Sequence, residues 1–263
     1  MIETSTPVPE AGRPGLANAV AAEWTKLRSV RSTYWLLGVG AVVIVGLAVL
    51  ITVGLGTGNV TSTNDSFDAA GISLLGAWFG QIAFGVLGVL TVTSEYATGS
   101  IRTTLAAVPR RGLLVAAKLV LVGVVAWSVG TVISLIAFLA GQGVLAGQHR
   151  SVGLGDAGSA QAVLGTGGYL AVMGLLGVAV GVLVRTTVAA VLAVLGLGLA
   201  PTLFGGLFPT WLRDHVLNYL PGPAGNRIMA TAPAPELADY LTLGAWVAGA
   251  VLVAYILLRR RDA

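Results

Sequence analysis

Six apolar stretches constrain this chain more than any other feature. They lie at about 35–56, 72–93, 113–140, 161–184, 187–208 and 240–258, and almost no charge interrupts them. A helix rises about 1.5 Å per residue, so roughly 20 apolar residues match a hydrocarbon core about 30 Å thick. Only 10% of the 263 residues are charged, against about a quarter in soluble domains. That is too little polar chain to cover a water-facing surface. The expected fold is an all-α polytopic membrane protein with six transmembrane helices.

The basic residues orient it. Twelve of the fifteen Lys and Arg fall on one side of this arrangement, from Arg13, Lys26, Arg28 and Arg31 through Arg102, Arg110, Arg111, Lys118 and Arg185 to Arg259, Arg260 and Arg261. Only Arg150, Arg213 and Arg227 fall on the other. The rich side is read as the cytoplasm, and the bias closes only with an even number of spans. Both termini are then cytoplasmic, in a multi-pass protein of the plasma membrane. A net charge of +4 distributed in this way marks topology and gives no face for nucleic acid.

Residues 1–14, with three prolines and no apolar periodicity, read as a disordered cytoplasmic tail. Residues 15–34 read as an amphipathic interfacial helix, 35–258 as the six-span domain and 259–263 as a basic cytoplasmic tail. The first apolar run starts near Trp35, too deep for an ordinary signal peptide, so it is expected to be retained. The short link at Arg185, Thr186 and Thr187 predicts a tight hairpin between spans four and five. Pro201 is expected to kink or break span five, and prolines interrupt the apolar pieces of 209–239.

Several chemistries lack their residues. Cysteine is absent, which removes disulfides and thiol sites. Lys26 and Lys118 are each followed by leucine and sit in no phosphate-cradling loop. Gly153-Leu-Gly155-Asp-Ala-Gly158 matches GxGxxG but lies between two spans with no preceding strand, so it reads as a loop. His149 and His215 fall in separate outer segments without acidic partners, and no metal site or catalytic residue is assigned. Asn59-Val-Thr61 and Asn64-Asp-Ser66 match a glycosylation sequon on the outer side. Ionisable groups are nearly absent from the spans, Glu95 at the end of span two being the nearest candidate. This disfavours ion-coupled transport. Gly174, Gly177 and Gly181 suit close helix packing within the chain, in preference to a dimer seam.

Two segments on the basic side carry more information. In 16–34, Leu16, Val20, Trp24, Leu27 and Val30 recur at helical spacing, with Lys26, Arg28 and Arg31 away from most of that stripe. This predicts a helix lying on the cytoplasmic membrane surface with Trp24 as anchor; the alternative is a polar extension of span one. Between spans two and three, Gly99 ends one helix, Ser100 caps the next and Pro109 closes it. The short helix between them sets Ile101, Leu105 and Val108 on one side and exposes Arg102 and Thr103. It reads as a cytoplasmic coupling helix for a soluble partner, the alternative being a solvated loop.

Glu23-Trp24-Thr25-Lys26-Leu27-Arg28-Ser29 before span one and Ser94 to Arg111 after span two resemble the permease subunit of ABC-2 type transporters, particularly the actinobacterial kind. Tyr219-Leu220-Pro221-Gly222-Pro223-Ala224-Gly225 adds a weaker echo. The resemblance implies a permease half that pairs with a second permease chain, identical or homologous, and with two copies of a separate ABC ATPase subunit. ATP and Mg would lie on that ATPase, leaving no cofactor and no enzymatic site in this chain. Glu95, Tyr96, Gly99, Ile101, Arg102, Thr103 and Thr104 would form the ATPase-coupling element, with the N-terminal helix also in contact. Segment 209–229, where Leu212, Val216 and Leu220 repeat every four residues, would form short outer helices reaching part-way into the membrane.

Gln81, Ser128 and Thr131 are the polar candidates for a translocation path otherwise lined by apolar and small residues, which favours a hydrophobic or amphipathic cargo. The resemblance favours export. The competing readings are an ATPase-independent secondary carrier, a non-transporting membrane component and, last, an intramembrane enzyme. Membrane lipids are a partner in every case.

Overall fold

Lipid leaves no backbone polar group a water partner, so unbroken runs of Val, Leu, Ala and Gly close their hydrogen bonds within helices. The computed structural model of the chain describes residues 15–57, 68–99, 111–231 and 234–260, and helices are its only regular elements among those residues. They are α1 (Leu16–Ser29), α2 (Arg31–Thr57), α3 (Ala69–Leu74), α4 (Ala77–Thr98), α5 (Arg111–Ala146), α6 (Ser159–Val184), α7 (Thr187–Gly198), α8 (Ala200–Phe204), α9 (Thr210–His215), α10 (Pro221–Met229) and α11 (Leu237–Arg260). The N-terminal tail at 1–14, both sequons and residues 261–263 lie outside the described residues.

Among the described residues five helices are long and apolar enough to cross a membrane: α2, α4, α5, α6 and α11. The pair α7 and α8, bent by 48° at a break, makes six if it is one broken span and not a re-entrant loop. Pro201 sits in the first turn of α8, where its missing N–H costs nothing but the preceding helix cannot continue. The expected break at this proline is present.

The boundaries differ from expectation where small residues interrupt helices. Val30 is extended (φ −90°, ψ 115°) and ends α1, so residues 31–34 begin span one instead of finishing the interfacial helix. Span two runs over 77–98, not 72–93, because residues 69–74 fold as the separate α3. Its start is capped by Asp68, whose Oδ1 accepts the Gly71 N–H at 2.8 Å. Helix α5 has 36 residues and is roughly 54 Å long, well beyond the thickness of a hydrocarbon core of about 30 Å.

The centre of the bundle is the seam between α4 and α6. A Cβ at Gly88 would collide with the Gly174 carbonyl oxygen, and one at Gly177 with that of Gly85. Gly181 is less tight, a Cβ there lying 3.3 Å from the Val89 carbonyl oxygen. The expected intrachain use of these glycines therefore holds. Phe84, Val89, Met173 and Leu176 fill the space around them. On the far side α10 sinks into the bundle, with Gly222 beneath the Gly198 carbonyl and Gly225 on the Tyr169 ring. The buried face of 209–229 is thus Pro221 to Met229, while Leu212 and Leu220 are half-buried and Val216 is exposed.

Candidate functional site at the end of the second span

Helix α4 continues past its apolar stretch into a polar last turn, carrying Thr93, Glu95 and Tyr96. It stops at Gly99, which adopts φ +70° and returns its N–H to the Tyr96 carbonyl at 3.3 Å. That left-handed cap is a conformation glycine adopts without strain. The last turn faces the bundle on both flanks, so the carboxylate of Glu95 is buried at 7% exposure. A buried carboxylate is tolerated only with counter-charge and hydrogen bonds.

Lys118, two turns into α5, supplies them. Its Nζ donates to Glu23 Oε2 at 2.6 Å, to Glu95 Oε1 at 2.9 Å and to the Thr91 carbonyl at 2.9 Å. All three ammonium protons are engaged. Lys26 Nζ donates to Glu23 Oε1 and to Glu95 Oε1, each at 2.9 Å. The result is a neutral cluster of two carboxylates and two ammonium groups drawn from three helices. Glu23 is 5% and Lys118 3% exposed, whereas the Lys26 side chain is 45% exposed. Burial disfavours the charge on Lys26, but the hydrogen bonds and charges of Glu23 and Glu95 outweigh it and raise its pKa above the ordinary lysine value. Leu27, Leu87 and Leu121 pack together beside the cluster.

The opposite flank of the same turn meets the link between α6 and α7. Thr187 Oγ1 donates to Thr93 Oγ1 at 2.9 Å. The Arg185 guanidinium lies 5.3 Å from the centre of the Tyr96 ring, within range of a cation–π contact. Arg185 takes φ +61° and sends its N–H to the Gly181 carbonyl at 3.0 Å, closing the α6 helix. One helical turn therefore holds α1 and α5 on one side and the α6–α7 hairpin on the other.

Of the residues singled out from sequence, Glu95, Tyr96 and Gly99 occupy this turn, and Lys26 joins Glu95 in the cluster. Ile101, Arg102, Thr103 and Thr104 lie outside the described residues. Leu27 is buried, while Trp24, Arg28 and Arg31 are exposed. The predicted apolar stripe of α1 is split. Its inward face is Ala19, Glu23 and Leu27, and Leu16, Trp24 and Val30 point away. The reason is electrostatic: pairing with Lys118 makes a glutamate the residue that docks this helix. Among the path candidates, Gln81 is buried, accepts a hydrogen bond from the Tyr169 hydroxyl and donates to the Trp78 carbonyl at 2.7 Å. Ser128 is exposed on α5, and Thr131 is half-buried against Gly167.

Glu23 and Arg185 were not selected by the sequence reading, and Lys118 was taken only as a topology marker. A signal existed for Lys118. A lysine inside an apolar helix requires a counter-ion, and the chain has only eleven acidic residues from which to draw one.

A family model described as an ABC-2 family transporter protein matches residues 19–201. The match contains every member of the cluster and the α6–α7 hairpin. Among curated proteins, none matches the chain.

Proposed function

The chain belongs to the ABC-2 transporter family, and we propose that a separate ATPase drives it through the end of its second span. In this reading the chain is a permease subunit of the plasma membrane with cytoplasmic termini. It pairs with a second permease, identical or homologous, and with two ATPase subunits that carry ATP and Mg. It exports a hydrophobic or amphipathic substrate.

The observation that carries the reading is the double attachment of the α4 end. Glu95 is bonded to Lys118 and Lys26, Tyr96 lies against Arg185, and the chain runs directly from this turn into the 100–110 segment. Closure of an ATPase pressing on that segment would be delivered to α1, α5 and the α6–α7 hairpin together. The bundle would then rock as rigid groups and alternate access to a path at the dimer interface. The matching of two carboxylates by two ammonium groups among the described residues supports a mechanical role over a proton-carrying one.

The test is ATP-driven transport by the reconstituted complex with Glu95→Ala and Arg102→Ala combined. Transport falls to background while membrane insertion and ATPase binding persist. Wild-type transport in that variant would refute the coupling assignment.

A further inference from the structure

Helices α2 and α4 pack closely through Gly40, Gly80 and Ala83, and the outer side of their seam forms a groove of about 680 Å³ with almost wholly apolar walls. Val39, Val42 and Gly46 of α2 face Phe79 and Val86 of α4. At the lysine- and arginine-rich end a second cavity of about 460 Å³ lies under α1, lined by Lys26, Ser32, Thr33, Ser94 and Glu95. Leu36 borders both, so the apolar trough adjoins a chamber that carries a polar patch among apolar walls. From Leu36 to Leu47 the trough extends about 16 Å along the helix. Its wall residues Val39, Val42 and Phe79 are exposed, and it opens sideways.

That polar patch has one unmet demand. Glu95 Oε2 is buried and has no hydrogen-bond partner among the described residues, although Oε1 of the same carboxylate accepts from both lysines. An orphaned acceptor of this kind costs roughly 1–3 kcal/mol and is rarely left without a donor. Among the described residues the two carboxylates and two ammonium groups balance, and a zwitterionic ligand bringing a donor leaves that balance intact.

We propose that the groove binds a zwitterionic amphiphile from the adjoining leaflet, with an N–H-bearing ammonium head and an acyl chain. An aminophospholipid has this chemistry. A small turn of the Glu95 carboxylate presents Oε2 to the ammonium. The phosphate lies toward Ser32 and Thr33 in the chamber, and the chain runs along the trough past Gly40 and Gly46. This site shares Glu95 with the coupling turn but does not depend on an ATPase partner.

The test uses the full chain purified in detergent, titrated with phosphatidylethanolamine and with phosphatidylcholine of identical acyl chains and read by native mass spectrometry. The two lipids differ only at the head-group nitrogen, which carries N–H donors in the first and three methyl groups in the second. Phosphatidylethanolamine is expected to bind at least about tenfold more tightly, the factor of one hydrogen bond to a charged group. Gly46→Phe is expected to abolish that binding while leaving the melting temperature unchanged, because a Cβ at Gly46 meets open space. Equal binding of the two lipids would overturn the head-group assignment. Undiminished binding in Gly46→Phe would overturn the groove assignment. So would efficient cross-linking of Gly46→Cys to a second copy, a clean assay in a chain with no native cysteine, because the groove would then hold another subunit.

Discussion

Lys118 Nζ lies 2.6 Å from Glu23 Oε2, joining two residues 95 positions apart in the chain. The contact fixes where α1 sits. An N-terminal helix resting on lipid by its apolar stripe would be free to slide, whereas this one is pinned by a buried ion pair to the start of the third span. Glu95 shares the same ammonium, so the helix is joined to the last turn of α4 through a single atom.

Removing that atom is expected to be costly. Lys118→Met leaves Glu23 and Glu95 buried with only the half-exposed Lys26 between them, a loss of about 3–5 kcal/mol for breaking a buried pair. Lys26→Met should lose less than about 1 kcal/mol, since exposed ion pairs contribute little. Denaturant unfolding of the chain in micelles measures both. Equal, small losses would mean that the buried cluster is not what anchors α1.

The pH response follows from Lys26. Its pKa is raised above the ordinary 10.5, so the stability it contributes is fully present below that value and is lost as pH rises through the higher folded value. The attachment of α1 should therefore persist through the neutral range and loosen only in strongly alkaline solution. A fluorescent probe on Gly15→Cys follows this, and Lys26→Met should diminish the alkaline change.

The glycine seam gives a sharper contrast. Gly88→Ala drives a methyl group into the Gly174 carbonyl and should destabilise the bundle by about 1–3 kcal/mol or more. Gly46→Ala faces open space and should be neutral, or stabilise by up to about 1 kcal/mol through helix propensity. Paired thermal melts decide it.

Tyr169→Phe removes the hydroxyl that bonds Gln81 and strands a buried amide oxygen, an expected cost of about 1–3 kcal/mol. Gln81→Leu in the same background should recover part of it, because two apolar partners leave no orphan. A melt of the single and double variants reads the difference.

What the sequence revealed was what local chemistry dictates. Apolar length disclosed the spans, Pro201 disclosed the break in span five, and Gly99 disclosed the end of α4. Glu95 stood out as the ionisable group nearest a span, Tyr96 through the resemblance to ABC-2 permeases, and Lys26 as a charge off the apolar stripe of the N-terminal helix. Glu23 did not, because its importance lies in a partner 95 residues away, and no periodicity within α1 encodes that. The same holds for Arg185, which looks like a hairpin charge until Tyr96 is placed beneath it. The stripe on α1 misled because spacing ranks residues by hydrophobicity, while the actual docking face is chosen by an ion pair. The start of span two shifted because Gly76 and the Asp68 cap divide an apolar run that composition alone reads as continuous.

The most direct measurement is affinity purification of the chain in mild detergent from its own host, scored by mass spectrometry and ATP hydrolysis. The account predicts stoichiometric recovery of a Walker-motif ATPase, with hydrolysis no longer coupled to transport once Glu95 and Arg102 are replaced. Repeated recovery of well-folded chain without any ATPase, across several detergents, would contradict it and point to a carrier or a non-transporting membrane component.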